Sequence, residues 1–243
     1  MDETAPDIVK PGLSRPDLEG RSYAPLSCGK TVYLVVLLHG LGVDGDDLID
    51  IAVNWQPSLL KAEFLAMHAP FPFDQGPTGR QWYSVADRSP EKIMEGLRKA
   101  EGILNQFLDE SLAKRRLDDR HLALVGFSQG AMVALHTGLR RRKIGAIVSF
   151  SGALHGAELL PAEIRSRPPV LLIHGNEDQV VPYERMTEAK AALKALDVPV
   201  KSMTRKGLGH SIDEVGIAAV GDFLHDSLVP KKAAHDEHDD HDH

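Results

Sequence analysis

Hydrophobic positions in this chain cluster in short, nearly continuous runs separated by longer stretches with helical spacing. The first clear run is Thr31-Val32-Tyr33-Leu34-Val35-Val36-Leu37-Leu38. It is rich in β-branched residues and of strand length, which predicts a strand buried on both faces. Asp44 to Gln56 follows with Leu48, Ile49, Ile51, Ala52 and Trp55 at helix-like spacing, and Pro57 ends it. A strand is expected over Glu63–His68. From Pro70 to Ser89 the pattern dissolves into Pro and Gly with Phe71, Phe73, Trp82 and Tyr83 embedded; a loop of that length in a folded domain tends to be functional or disordered, and its aromatics favour function.

Ser89-Pro90 supplies an N-cap and a first-turn proline. After it, Ile93, Leu97, Ile103, Leu104, Phe107, Leu108 and Leu112 mark a long amphipathic helix. Further strands are expected at Leu122–Val125, Ala146–Phe150, Val170–Gly175 and Val200–Arg205. Helices are expected at Gln129–Arg142, Pro182–Leu196 and Ile212–Leu228. Apolar strands alternating with helices predict a mostly parallel central sheet with helices on both faces, an α/β fold whose ligands bind at the carboxyl ends of the strands. Residues 1–20, with Pro6, Pro11, Gly12 and Pro16, show no period and read as a flexible lead-in or an edge segment lying over the sheet. Residues 21–229 form the one expected domain, and 230–243 a disordered tail.

Composition narrows the function. The 243 residues carry a net charge of -7, of which the four Asp and one Glu within His235–His243 supply five. The body is therefore nearly neutral, which argues against a nucleic-acid or anionic-membrane surface. Cys28 is the single cysteine, so an intrachain disulfide is impossible and a free, inert thiol is expected. The N-terminal stretch lacks the positive and apolar regions of a secretory signal, and no apolar run approaches the ~20 residues of a membrane helix. A cytoplasmic protein without stable membrane insertion is expected.

The chemistry concentrates where strands end. Leu122 to Val125 runs into Gly126-Phe127-Ser128-Gln129-Gly130 and then directly into a helix, the strand–turn–helix setting of a nucleophile elbow. Gly-x-Ser-x-Gly alone is weak, arising by chance in roughly one chain of this length in twelve; its setting raises its value. A serine hydroxyl needs a base within reach and a third group to orient that base. Ser128, Asp178 and His210 occur in the order nucleophile, acid, histidine that α/β-hydrolases use. Asp178 competes with its neighbour Glu177 for the acid role and also suits a plain turn. His210, framed by glycines before the last helix, competes with His174, which reads as a buried strand-end residue. An oxyanion needs two donors: the Gln129 N–H at the helix start and, from the loop His39-Gly40-Leu41-Gly42, the Leu41 N–H.

These four segments, with Gly175-Asn176-Glu177-Asp178-Gln179-Val180-Val181-Pro182 and Gly209-His210-Ser211 as the third and fourth, resemble the phospholipase/carboxylesterase family, which includes the acyl-protein thioesterases. The resemblance runs from about Tyr33 to Leu228. It implies an α/β-hydrolase fold with no large cap domain, a serine carboxylesterase hydrolysing carboxylic esters or thioesters through an acyl-enzyme, no cofactor, and a homodimer as a plausible assembly. Acyl-protein thioesterase or lysophospholipase is the finer alternative. Arg80-Gln81-Trp82-Tyr83 resembles the family's Trp-containing loop beside the active site. The loop from Ser151 to Pro169 is too short for a cap, so an open cleft is expected, walled by Phe71, Trp82, Leu154 and Val181 unless these fill core or loop contacts instead. Outside this reading stand a catalytically dead binding scaffold, a peptidase or lactonase on the same fold, and weak Zn²⁺ or Ni²⁺ binding by His235, His238, His241 and His243. No metal is expected in the catalytic site.

Overall fold

The computed structural model describes residues 18–230; most of the expected lead-in and nearly all of the His/Asp-rich tail lie outside the described residues. Nine strands and six α-helices follow in chain order: β1 Glu19–Tyr23, β2 Tyr33–Leu38, α1 Asp46–Ile49, β3 Ala62–Met67, β4 Phe71–Pro72, β5 Arg80–Gln81, α2 Pro90–Arg115, β6 Leu122–Phe127, α3 Gln129–Arg140, β7 Ala146–Phe150, α4 Leu160–Glu163, β8 Val170–Gly175, α5 Glu184–Ala195, β9 Val200–Arg205 and α6 Glu214–Leu228. Seven strands form one sheet in the order β1-β3-β2-β6-β7-β8-β9. Within that sheet the β1–β3 pair is antiparallel and every other neighbour is parallel.

The run of apolar residues in β2 is explained by its central place. Leu34, Val36 and Leu38 enter the core beneath α2, α3 and α5, while Val35 and Leu37 enter the core shared with α1 and α6. Both faces are thereby covered, as a parallel sheet requires. Trp55 closes the second core, donating its indole N–H to Ile217 O at 2.8 Å. Parallel register brings the strand ends onto one edge: Leu38 pairs with Gly126, and Phe127 with Phe150.

Three elements depart from expectation. The helix expected over Asp44–Gln56 is α1 followed by a 3-10 turn, Asp50–Asn54, because Ile49, Asp50, Ile51, Val53 and Asn54 are all weak helix formers. The edge strand β1 starts at Glu19, two residues before the expected domain boundary, and Leu18 is already in the core. The loop from Pro70 to Ser89 contains a minimal hairpin, with Phe71 opposite Gln81 and Pro72 opposite Arg80. Ser89 does precede α2, but its side chain makes no capping bond. The segment after β7 holds only the single turn α4, so among the described residues no cap domain covers the carboxyl edge of the sheet.

Candidate active site

Ser128 stands between β6 and α3 with φ 54° and ψ −118°, a backbone conformation costly for any residue with a Cβ. Its N–H donates to Phe150 O at 2.9 Å, which holds the corner against β7. The flanking glycines are sterically required. A Cβ on Gly126 would stand 2.4 Å from Gly130 O, and one on Gly130 would stand 2.1 Å from Leu38 O. Strand, turn and helix therefore meet too closely for any side chain there.

Two loops then bring the partners to Ser128. The loop after β8 carries Asp178 and the loop after β9 carries His210. They are joined by Glu177 N–H to Leu208 O at 3.0 Å and by Gly207 N–H to the Asn176 side chain at 2.7 Å. Asp213 caps α6 by accepting from Gly216 N–H at 2.9 Å and also pairs with Arg205, so the segment holding His210 is anchored at both ends. His210 Nε2 lies 2.9 Å from Ser128 Oγ, and His210 Nδ1 lies 2.7 Å from Asp178 Oδ2. A carboxylate accepts, so Nδ1 carries the hydrogen and Nε2 is left to accept from the serine. The Phe127 ring stacks at a tilt on the imidazole, centroids 4.9 Å apart.

The Asp178 side chain is wholly buried. Burial alone would raise its pKa, but the bond to His210 and the N–H groups of Val181 and Val180, each 2.8 Å from Oδ1, hold it below the ordinary carboxylate range. It is ionised at neutral pH. The competing residues sit elsewhere: Glu177 is exposed, and His174 is buried behind the carboxylate, donating from Nε2 to Val181 O at 2.8 Å.

The two expected oxyanion donors follow the neighbouring strands β2 and β6. Among the described residues neither the Leu41 nor the Gln129 N–H has a hydrogen-bond partner, as a donor reserved for a ligand would require. Gly40 lets the Leu41 loop approach, since a Cβ there would be 3.2 Å from the Phe127 ring and 3.5 Å from Ser128 Cβ.

Two residues of the expected cleft wall are buried. Trp82 has no accessible surface, and its indole N–H donates to His39 O at 2.8 Å; a side chain without exposed atoms cannot line an open cleft. Val181 is buried too, its main chain engaged with Asp178 and His174. Phe71 and Leu154 are half-buried and retain accessible surface. Two side chains were given no role by the sequence. His39 is buried, donates from Nδ1 to Gly40 O at 2.6 Å and accepts at Nε2 from Ala69 N–H at 2.8 Å. Its place at the end of an apolar strand was the available signal, because a buried imidazole must find partners. The other is the side chain of Gln129, bonded to the main chain of Trp82 and Tyr83.

Among the described residues no group of three or more His, Cys, Asp or Glu is placed to hold a metal ion, and no helix is long and apolar enough to cross a membrane. The four tail histidines lie outside the described residues. Cys28 is exposed and unpaired.

The chain is similar to several known proteins. Acyl-protein thioesterase 1 of Neurospora crassa is 30% identical over 217 residues, covering 82% of this chain and 88% of the relative. The crystal structure of esterase PE8 superposes with a TM-score of 0.82 at 38% identity, covering 87% of this chain and all of that one. Arabidopsis thaliana SOBER1, at 23% identity, shares the fold with a TM-score of 0.68 over 81% of this chain and 99% of its own. The family model for phospholipase/carboxylesterase matches residues 28–228; the chain belongs to that family and is a serine hydrolase with the α/β-hydrolase fold.

Proposed function

We propose that Ser128 is the nucleophile of a carboxylic ester and thioester hydrolase, with His210 as its base and Asp178 as the group that orients the base. The observation that supports this reading most strongly is the continuous hydrogen-bonded chain from Asp178 Oδ2 through both nitrogens of His210 to Ser128 Oγ. Ser128 Oγ attacks the acyl carbon while its proton passes to His210 Nε2. The tetrahedral oxyanion is met by the N–H groups of Leu41 and Gln129, the second at the positive end of α3. Collapse expels the alcohol or thiol, which takes the proton back from His210. Water, activated by the same imidazole, then attacks the acyl-serine and releases the carboxylic acid. Asp178, ionised throughout, holds Nδ1–H in place and favours the transient imidazolium.

Because no cap crosses the site among the described residues, the acyl group lies in an open cleft, with Phe71 and Leu154 as its proposed apolar wall. The thioesterase name of the Neurospora relative supports thioesters among the substrates. A cytoplasmic location agrees with the single cysteine. The test is turnover of p-nitrophenyl acetate and butyrate, with butyrylthiocholine for the thioester arm, by wild type and Ser128→Ala. The substitution is expected to lower kcat by roughly 10⁴-fold or more. Absence of wild-type hydrolysis across several acyl lengths would sink the reading.

A further inference from the structure

The Gln129 side chain and the segment Arg80–Tyr83 form a chain of contacts between the two candidate oxyanion donors. Leu41 lies between two anchored points. On one side the Trp82 indole N–H donates to His39 O at 2.8 Å. On the other, Gly42 N–H donates to Arg80 O and Arg80 N–H donates to Val43 O, both at 2.9 Å. Gly79 packs so closely that a Cβ on it would stand 2.0 Å from Gly42 O. At the far end of the same segment, Trp82 N–H donates to Gln129 Oε1 and Gln129 Nε2 donates to Tyr83 O, each at 2.8 Å. The Gln129 amide is buried, and both of its ends are satisfied by main chain. A short stretch of backbone thus touches the Leu41 loop along one end and the residue carrying the second donor along the other.

We infer that Gln129 is a positioning residue through its side chain: with Trp82 it braces Arg80–Tyr83 between the loop of Leu41 and the start of α3, and so sets the separation of the two oxyanion donors. This rests on the reading of Leu41 and Gln129 as those donors. Strand pairing of β2 with β6 and the packing of Gly130 on the Leu38 and His39 main chain bring the two segments together, but Leu41 itself has no hydrogen bond to α3, so beyond that packing the brace is the polar link between the Leu41 loop and the start of α3. The hydrogen-bonding groups of the Gln129 side chain act on geometry, whereas its main-chain N–H acts on charge. Substituting the side chain leaves the N–H in place, so the two contributions are separable.

The brace predicts a loss confined to the transition state. Gln129→Met, similar in length and without hydrogen-bonding groups, is expected to lower kcat by 10- to 100-fold, in the range that a displacement of about 1 Å produces, with KM within threefold of wild type. Affinity for butaneboronic acid, which adds to Ser128 Oγ and places an oxygen where the oxyanion forms, should fall by the same factor. Rates are expressed per site titrated with a fluorophosphonate, so that unfolded protein does not count. Trp82→Phe removes only the indole bond and gives a second, milder probe. Because both belong to one brace, the double variant should be little worse than Gln129→Met alone, whereas independent effects would multiply. Wild-type kcat and boronate affinity in Gln129→Met would overturn the proposal, as would a fall in kcat with boronate affinity unchanged, or multiplicative effects in the double variant. Wild-type protein that neither hydrolyses esters nor binds the boronate would instead bring down the underlying reading, and the brace with it.

Discussion

Gly130→Ala isolates what the close approach of α3 to β2 does for the site. A Cβ at this position would lie 2.1 Å from Leu38 O and 2.5 Å from His39 O, whereas carbon–oxygen contacts settle near ~3.3 Å, so α3 must retreat by about 1 Å. Neither obstacle is a flexible side chain; both are main chain of the central strand and of the loop that leads to Leu41. Overpacking of this kind costs about 1–3 kcal/mol, a fall in Tm of roughly 2–12 °C for a domain of this size. The Gln129 N–H moves with the helix while the Leu41 N–H stays with β2, and a mismatch of ~1 Å is expected to lower kcat by about 10²-fold. The assay is kcat on p-nitrophenyl butyrate per fluorophosphonate-titrated site, alongside thermal unfolding. Gly102→Ala is the control: Gly102 is exposed in α2 with nothing within 4 Å of an added Cβ. It should gain roughly 0.5–1 kcal/mol and keep full activity. Wild-type kcat and Tm in Gly130→Ala would refute the steric reasoning.

Other outcomes follow from the same geometry. Asp178→Asn should lower kcat by about 10⁴-fold with KM little changed, since an amide can stabilise the wrong imidazole tautomer; a loss below tenfold would remove Asp178 from the mechanism. Trp82→Ala should cost about 3–5 kcal/mol of stability and lower the rate on every ester from acetate to decanoate by a similar factor. A changed chain-length preference would return Trp82 to the cleft wall. His39, buried and neutral with its pKa lowered to about 4 by burial, should make the protein acid-sensitive. The unfolded chain takes up its proton near pH 6.5 and the folded one only near 4, so stability is full above that window and falls by about 3 kcal/mol as pH drops through it. Asp178, held below the ordinary carboxylate range, adds its own loss only below about pH 4. Urea unfolding at pH 7 and 4.5 should show a slope that His39→Gln largely removes; an identical slope in that variant would exclude His39 as its source.

What could be read directly from the chain was the part encoded locally. Ser128 and Asp178 each follow a run of apolar residues within a few positions, and Ser128 and His210 are framed by glycines, so their places at one sheet edge came from strand pattern and order alone. Strand β1 escaped because Glu-Gly-Arg-Ser-Tyr at a sheet edge has neither alternation nor apolar content; its pairing with β3 is supplied by the partner strand. The hairpin β4–β5 is two residues long on each side, shorter than any period can reveal. Trp82 shows the deeper difficulty. An aromatic in a Pro/Gly-rich loop reads alike whether it turns outward to a ligand or inward to the chain, and the deciding contact is to His39, 43 residues earlier. The Gln129 side chain was hidden for the same reason: its partners at Trp82 and Tyr83 are brought close only by the fold, while its position beside Ser128 drew attention to the main-chain N–H.

The central claim is that Ser128 becomes acylated during turnover, and intact-protein mass spectrometry after rapid acid quench tests it most directly. Wild-type protein mixed with excess p-nitrophenyl butyrate should show a species heavier by one butyryl group, mapping after digestion to the peptide that contains Ser128 and disappearing as substrate is exhausted. Ser128→Ala should show none. Butyryl mass on any other residue during turnover, or hydrolysis surviving at wild-type rate in Ser128→Ala, would contradict the account.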